Sequence, residues 1–297
     1  MPTPKDQDAL PRGLAGARSW LFVPGHLVGE WLAKAAGSGA DVIVVDLEDA
    51  VIPARKDEAR EAVRGALRQA RSSVTIAVRI NALTTSWWAA DLAMAVSTGV
   101  AAVMLPKAAG AGDVERLSVA IDQSAADRPE ASPRPAIVPL VETASGVLQA
   151  QGIAAARDVV AVAFGAEDLA ADLGMMRSNT GIELQHARGQ VVLACAAAHR
   201  GAIDTPCLDV RDPELVRAEA GAARSLGFTG KLAIHPGQVA AINAAFEPSH
   251  EEIGRARAII DGFEQALRAG SGIAVVDGRM VDEPVVAAAR RLLARSR

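Results

Sequence analysis

Tyrosine is absent from the 297 residues, and aromatic side chains make up only 3% of them, four Trp and five Phe. A chain long enough to bury a large core must then fill it with aliphatic groups, and half of its residues are hydrophobic. Cysteine is nearly missing as well. Cys195 and Cys207 cannot build a disulfide framework, which points to a reducing cytoplasm, and neither has the C-x-x-C neighbour of a zinc site. Excess basic charge is lacking: 31 Lys and Arg face 35 Asp and Glu, a net −4, so there is no basic surface to replace phosphate counterions on nucleic acid. No run approaches the roughly 20 apolar residues of a membrane span. The opening MPTPKDQDALPRG is polar and Pro-rich where a secretory signal needs an apolar stretch. The expectation is a soluble cytoplasmic protein with no nucleic-acid or membrane partner.

What the chain has is a repeat: a short β-branched run, a polar cluster, then an Ala/Leu/Arg-rich helical stretch. Strands are expected at 19–23, 41–47, 74–80, 101–105, 136–141, 159–164, 202–208 and 231–234, with helices between them, for example at 58–71 and 213–226. Several of the strands are apolar throughout, as parallel strands covered on both faces are. Eight such units predict an α/β fold, a (β/α)8 TIM barrel, with a doubly wound sheet as the competing arrangement. The expected plan is a disordered segment over 1–17, a barrel over 18–270 and an extension over 271–297. In that extension Asp277-Gly278 marks a tight hairpin turn, and Asp282-Glu283-Pro284 marks a helix start. Too small to fold alone, it must pack on the barrel or on a neighbouring subunit.

The polar residues gather just after the strands, as in Asp46-Leu47-Glu48-Asp49, Arg79-Ile80-Asn81, Pro106-Lys107, Glu142-Thr143, Gly165-Ala166-Glu167-Asp168 and His235-Pro236-Gly237-Gln238. In a barrel this is the C-terminal face, where active sites are built. Nucleotide and protease motifs do not account for them. Gly37-Ser38-Gly39 precedes a strand and lacks a third glycine, and there is no Walker loop, H-E-x-x-H or G-x-S-x-G. Glu142 and Asp168 close adjacent strands and would present two hard oxygen donors to one point, which suits Mg2+, or Mn2+, with positions left for water and substrate. Either carboxylate alone reads equally well as a cap or a salt-bridge partner. Gly165 would let the Ala166 and Glu167 amides approach a ligand, a nest for a substrate carboxylate.

RSWLFVPG (18–25), GADVIVVDLEDAV (39–51), VRIN (78–81), LPK (105–107), VETASG (141–146), FGAEDLAADLG (164–174) and GKLAIHPGQ (230–238) together resemble the aldolase/citrate lyase family, in its citrate lyase β-subunit-like branch. The resemblance implies a Mg2+-dependent (β/α)8 lyase, a homotrimer or hexamer, that makes or breaks a C–C bond. It also implies a citryl-CoA or malyl-CoA type of substrate, cleaved by reversible Claisen chemistry to an acyl-CoA and a 2-oxo acid such as oxaloacetate or glyoxylate. Coenzyme A enters only as part of that substrate. By the same resemblance Glu142 and Asp168 match the metal ligands, and Arg79 matches the arginine that binds the oxo acid and its developing charge. Asp46, Glu48 and Asp49 would border the site, supporting it or pairing with Lys56 or Arg60, with direct ligation of the ion as the alternative. Arg18 and Lys107 are candidates for a substrate carboxylate or CoA phosphate; otherwise each pairs with a neighbouring acid. GRMVDEP (278–284) resembles a lid segment reaching over a neighbouring subunit's site, with Asp282 as acid/base; otherwise Asp282 is a helix cap. Three other readings stay open. They are a malyl-CoA-type thioesterase, a Schiff-base aldolase using Lys107, and a β subunit inactive without its citrate lyase partners.

Overall fold

The protein is described here by a computed structural model at residues 14, 16–69, 74–124, 126, 134–178 and 180–295. Eight parallel strands close into a barrel: β1 (Ser19–Pro24), β2 (Val42–Asp46), β3 (Thr75–Arg79), β4 (Ala102–Leu105), β5 (Ala136–Val141), β6 (Ala161–Phe164), β7 (Gly201–Asp204) and β8 (Gly230–Ala233). Each pairs with the next, and β8 returns to β1 through Ser19 opposite Lys231. The expected barrel is therefore present.

Side chains alternate across a strand, so every second residue points into the barrel. The inward set is Trp20, Phe22, Val42, Val44, Ala77, Ala102, Met104, Ala136, Val138, Leu140, Ala161, Ala163, Ile203 and Leu232. Alanines set against Trp, Met, Leu and Val let this interior close with little aromatic volume. The alternate residues, among them Leu21, Ile43, Val45, Val78 and Val103, are buried on the outside of the barrel. The helix Lys56–Gln69 turns Ala59, Val63 and Leu67 inward at four-residue spacing. The helix Pro213–Leu226 starts where Asp212 accepts from the amides of Glu214 and Leu215 and stops at Gly227, φ 110°.

Strand β7 ends at Asp204, four residues before its expected end. Pro206 has no N–H to continue the ladder, so the chain leaves the barrel there. Val159 makes only an isolated bridge to Ile137 ahead of β6.

The chain forms two compact units, one reaching to Asn243 and one over Ala244–Arg297. The second contains the helix His250–Arg268, opened by a capping box between Ser249 and Glu252. It continues as an antiparallel hairpin, β9 (Ala274–Val276) and β10 (Arg279–Val281), and ends in the helix Glu283–Arg295. Asp277 and Gly278 turn the hairpin with φ 49° and 73°, the positive values a two-residue turn of this kind requires. Phe263, Ala274, Val281 and Val286 form this unit's own small core. Of the N-terminal segment expected to be disordered, only 14, 16 and 17 fall within the described residues. No described helix is long and apolar enough to cross a membrane.

Candidate active site

The barrel's inward register does not stop where its apolar core stops. One further step along the strands gives Pro24 on β1, Asp46 on β2 and Arg79 on β3, then Glu142 past β5, Gly165 past β6, Thr205 past β7 and Ile234 past β8. All seven line one cleft of about 440 Å³, floored by Phe22 and Leu140 from the core. Asp49, Ala50, Ala166, Glu167, Asp168 and Pro206 complete its wall. The same period of two that fills the barrel with alanine and valine thus delivers charged side chains to its mouth.

Arg79 lies beside Asp46, its register partner across β2 and β3. Its Nε and Nη2 donate to the two Asp46 carboxylate oxygens, each at 2.7 Å, a bidentate fork that fixes the guanidinium plane. Nη1 is 3.1 Å from Glu48 Oε2 and 3.8 Å from Asp49 Oδ2, and the group lies over the Phe22 ring at 4.8 Å. Burial works against this charge, but Asp46, Glu48 and Glu142 outweigh it and hold the Arg79 pKa above its usual value. Asp46 also accepts from the amides of Glu48 and Ala50 at 2.9 and 3.2 Å, and so folds the loop that follows its own strand.

Glu142 is 2% exposed. Its Oε1 accepts from the Lys107 amide at 2.8 Å, and Lys107 aims that amide from a left-handed conformation, φ 52°, which costs a non-glycine residue about 1 kcal/mol. A Cβ at position 165 would stand 2.6 Å from Glu142 Oε2, so only glycine lets the two strand ends approach. Burial and the charges of Glu48 and Asp168 push the Glu142 carboxyl up to about 8. Burial also raises Glu48, against Arg79 and Lys107. Both Glu48 oxygens lack a hydrogen bond, although Arg79 and Lys107 each lie at 3.1 Å. The Lys107 ammonium stands between Glu48 and Asp168, 3.9 Å from the latter. Burial would lower its pKa, but Glu48, Asp49 and Asp168 carry it upward.

These features fit a divalent cation: hard oxygen donors, and a buried carboxyl pressed toward its neutral form by its neighbours. Among the described residues no group of three or more His, Cys, Asp or Glu is arranged to hold a metal. An ion held by Glu142 and Asp168 would leave positions for water and substrate, the habit of Mg2+.

Several of the expected site residues have partners of their own or lie away from the cleft. Arg18 has the inward parity of β1 but precedes the strand, so it lies at the barrel's N-terminal end, opposite the cleft. There it forks onto Asp41 at 2.9 and 3.0 Å. Lys56 and Arg60 take partners other than the carboxylates of Asp46, Glu48 and Asp49. The Lys56 ammonium donates to the backbone oxygens of Leu47 and Glu48, each at 2.7 Å, and Arg60 bonds Asp57 and Asp91. The Ala166 amide, offered as half of an anion nest, donates to Thr205 Oγ1 at 3.2 Å, and Glu167 pairs with Arg177 at 2.9 Å. Asp282 lies in the second unit, where its Oδ1 receives the Val285 amide at 3.4 Å, the contact of a helix cap. Sequence reading missed Phe22, Thr205 and Ile234 as lining residues, although their place in the strand period marks them, and Pro206, which that period does not mark. His235 and Gln238 cap a turn, and Gln238 reaches the Cys207 carbonyl at 2.8 Å, a structural role.

The model of the HpcH/HpaI aldolase/citrate lyase family matches residues 18–236. A citrate lyase subunit beta-like protein of Deinococcus radiodurans is 36% identical over 281 residues, 93% of this chain and 96% of that one. A (3S)-malyl-CoA thioesterase of Cereibacter sphaeroides is 36% identical over 280 residues, 94% of each chain. The crystal structure of CitE from Mycobacterium tuberculosis, in complex with magnesium, acetoacetate and coenzyme A, superposes with a TM-score of 0.79 at 37% identity, covering 95% of this chain and 99% of the other. A match of that extent, on a barrel whose charged mouth is built from the family's own motifs, makes this chain a member of the HpcH/HpaI aldolase/citrate lyase family, a family of carbon–carbon lyases.

Proposed function

We propose that the protein is a Mg2+-dependent lyase that cleaves a 3-hydroxyacyl-CoA of the malyl-CoA or citryl-CoA type into an acyl-CoA and a 2-oxo acid, reversibly. The observation that carries this reading is Arg79, its side chain only 11% exposed, forked onto Asp46 and set in the same cleft as Glu142 and Asp168. A permanently charged guanidinium at a barrel mouth can hold a carboxylate and stabilise the oxygen charge that develops as the bond breaks. Glu142 and Asp168 would hold Mg2+, with Mn2+ as a substitute; the ion supplies Lewis acidity to the oxo-acid oxygens. Magnesium and coenzyme A both accompany the related CitE of M. tuberculosis.

In the cleavage direction a general base takes the hydroxyl proton, and the O–H electrons form the new carbonyl. The C–C bond breaks, and its electrons pass to the thioester enolate, which is then protonated to the acyl-CoA. Asp282 is assigned this base role, delivered by the 271–297 extension of a neighbouring subunit over the barrel of 18–270 in a cytoplasmic homotrimer or hexamer. Lys107, close to Glu48 and Asp168, would hold a substrate carboxylate or phosphate, and the Gly165–Ala166–Glu167 turn would border the oxo acid. Asp46, Glu48 and Asp49 would set the position of Arg79 and Lys107.

Mass spectrometry of products from malyl-, methylmalyl- and citryl-CoA, with Mg2+ and with EDTA, tests the reaction. Acetyl-CoA or propionyl-CoA plus a 2-oxo acid, lost on chelation, is the expected result. Asp168→Ala should abolish that turnover while leaving the fold intact, and near-normal activity in this variant would sink the metal assignment. The likeness to a malyl-CoA thioesterase favours one second reading, in which Asp282 activates water against the thioester carbonyl. Free CoA and the intact hydroxy acid would then be the products.

A further inference from the structure

Two carboxylates on different strands can serve one ion only if something holds their separation. The strands fix the roots, since Val141 and Phe164 are paired neighbours on β5 and β6. Beyond them each carboxylate sits in its own short segment. Glu142 is followed by Thr143, which caps the five-residue helix Ala144–Leu148, and Asp168 lies in the first turn of the helix Ala166–Asp172. One side chain joins the two segments: Asp172 Oδ2 accepts from the Ala144 amide at 2.8 Å. Asp172 is one helical turn past Asp168, and Ala144 is two residues past Glu142, so this single bond links both elements close to their carboxylates.

The contact satisfies the first free amide of the helix Ala144–Leu148 with a side chain from outside that helix. Thr143 already supplies the side-chain cap of the helix Ala144–Leu148, accepting from Gly146 at 3.0 Å. The Asp172 to Ala144 bond is exposed, so water satisfies the Ala144 amide when the side chain is removed. Folding stability gains little from it.

We infer that Asp172 is a positioning residue that sets the separation of Glu142 and Asp168. The inference rests on the proposal that these two carboxylates hold a divalent ion. It assigns a role to the second aspartate of A-E-D-L-A-A-D, which otherwise reads as a helix-end charge. The acceptor, and not the negative charge, is what matters, so an asparagine oxygen can replace it. The donor is equally replaceable by nothing: a proline at 144 has no N–H. Proline is tolerated at the first position of a helix, and Thr143 before it is already extended, φ −133° and ψ 155°, as a residue preceding proline must be.

The test is Mn2+ affinity of the full chain without substrate, measured by isothermal titration calorimetry. The variants are D172A, D172N, A144P, the D172A/A144P double variant and D168N. D172A and A144P should each weaken Mn2+ binding on the order of tenfold. D172N should stay near the wild type, and the double variant should be no worse than either single change. Melting temperatures of D172A and D172N should stay close to the wild-type value. Wild-type affinity in D172A, or equal losses in D172A and D172N, overturns the positioning role while leaving the metal site standing. Wild-type affinity in D168N, or no Mn2+ binding by the wild type, overturns the metal reading itself and this inference with it. Should A144P fail to fold, D172A against D172N still decides.

Discussion

Glu142 carries the sharpest conflict in the molecule between burial and charge. Its carboxyl has moved from the ordinary 4.5 to about 8, by burial first and then by Glu48 and Asp168. Between those two values the folded chain keeps a proton that the unfolded chain has released. Its contribution to stability is therefore full below about 4.5 and is lost as pH rises through about 8. In EDTA the melting temperature should fall between pH 6 and pH 9, Glu142→Gln should flatten that slope, and Mg2+ should restore the loss by replacing the proton. An unchanged slope in Glu142→Gln would remove Glu142 as its source. Gly165→Ala presses on the same carboxylate without touching its charge. The added methyl would lie 2.6 Å from Oε2 and 2.7 Å from Cβ of Glu142, and relieving that overlap should cost about 1–3 kcal/mol together with most of the metal affinity. Urea unfolding and a Mn2+ titration check the two effects. At this scale the sequence showed which residue types stand at strand ends, because polarity after an apolar run is a local signal. It also held, in the order of the chain, that Arg18 precedes the strand expected at 19–23 and so stands at the other mouth, which its parity alone conceals. The alternation gives the face a residue points to, and Arg18 shares the parity of Trp20 and Phe22, but parity says nothing of which mouth the residue reaches.

The loop after β2 shows how one element orders another. Asp46 accepts two amides of that loop, and Leu47 O takes both Lys56 Nζ and Asn81 Nδ2, at 2.7 and 3.0 Å. Asn81 is held in turn by buried Asp91, at 2.6 Å. The helix Lys56–Gln69 thus sends its first side chain, 5% exposed, under the loop that presents Glu48 to Arg79 and Lys107. Burial lowers the Lys56 pKa, and the two short bonds are its compensation. Lys56→Met keeps the stem and removes both bonds, and should destabilise the fold by about 3 kcal/mol. Because the loop carries Glu48, kcat/KM should fall as well, even where the variant is still folded. A variant as stable as the wild type in urea would refute this account of the loop. Strands, the hairpin turn and the helix Pro213–Leu226 were legible because each follows from period, turn chemistry or capping within a few residues. The Lys56 bonds were not, since a lysine near three carboxylates suggests an ion pair, and only the packed loop shows that backbone oxygens are nearer.

At the scale of the whole molecule, the barrel mouth has many carboxylates and few without a task. Asp46 and Glu48 face Arg79 and Lys107, and Glu142 and Asp168 are assigned to the ion. A proton carrier from outside this set is what the proposed reaction still needs, and Asp282 sits at the end of a hairpin in a unit with its own core. If that unit serves the site of a neighbouring copy, two inactive variants should repair each other. Asp168→Asn would damage only the site of its own barrel, and Asp282→Asn only the site that its extension covers. In a closed ring assembled from an equal mixture, a site is intact only when its barrel comes from the Asp282→Asn chain and its extension from the Asp168→Asn chain, about one site in four. Co-expression should therefore restore about a quarter of wild-type lyase activity, whereas each variant alone should show almost none. A mixture as inactive as its parts would mean that the extension serves its own barrel. Full activity of Asp282→Asn alone would return Asp282 to the helix cap it makes with Val285, and the base would have to come from the cleft itself, where Asp49, 57% exposed, is the acid least committed to a partner.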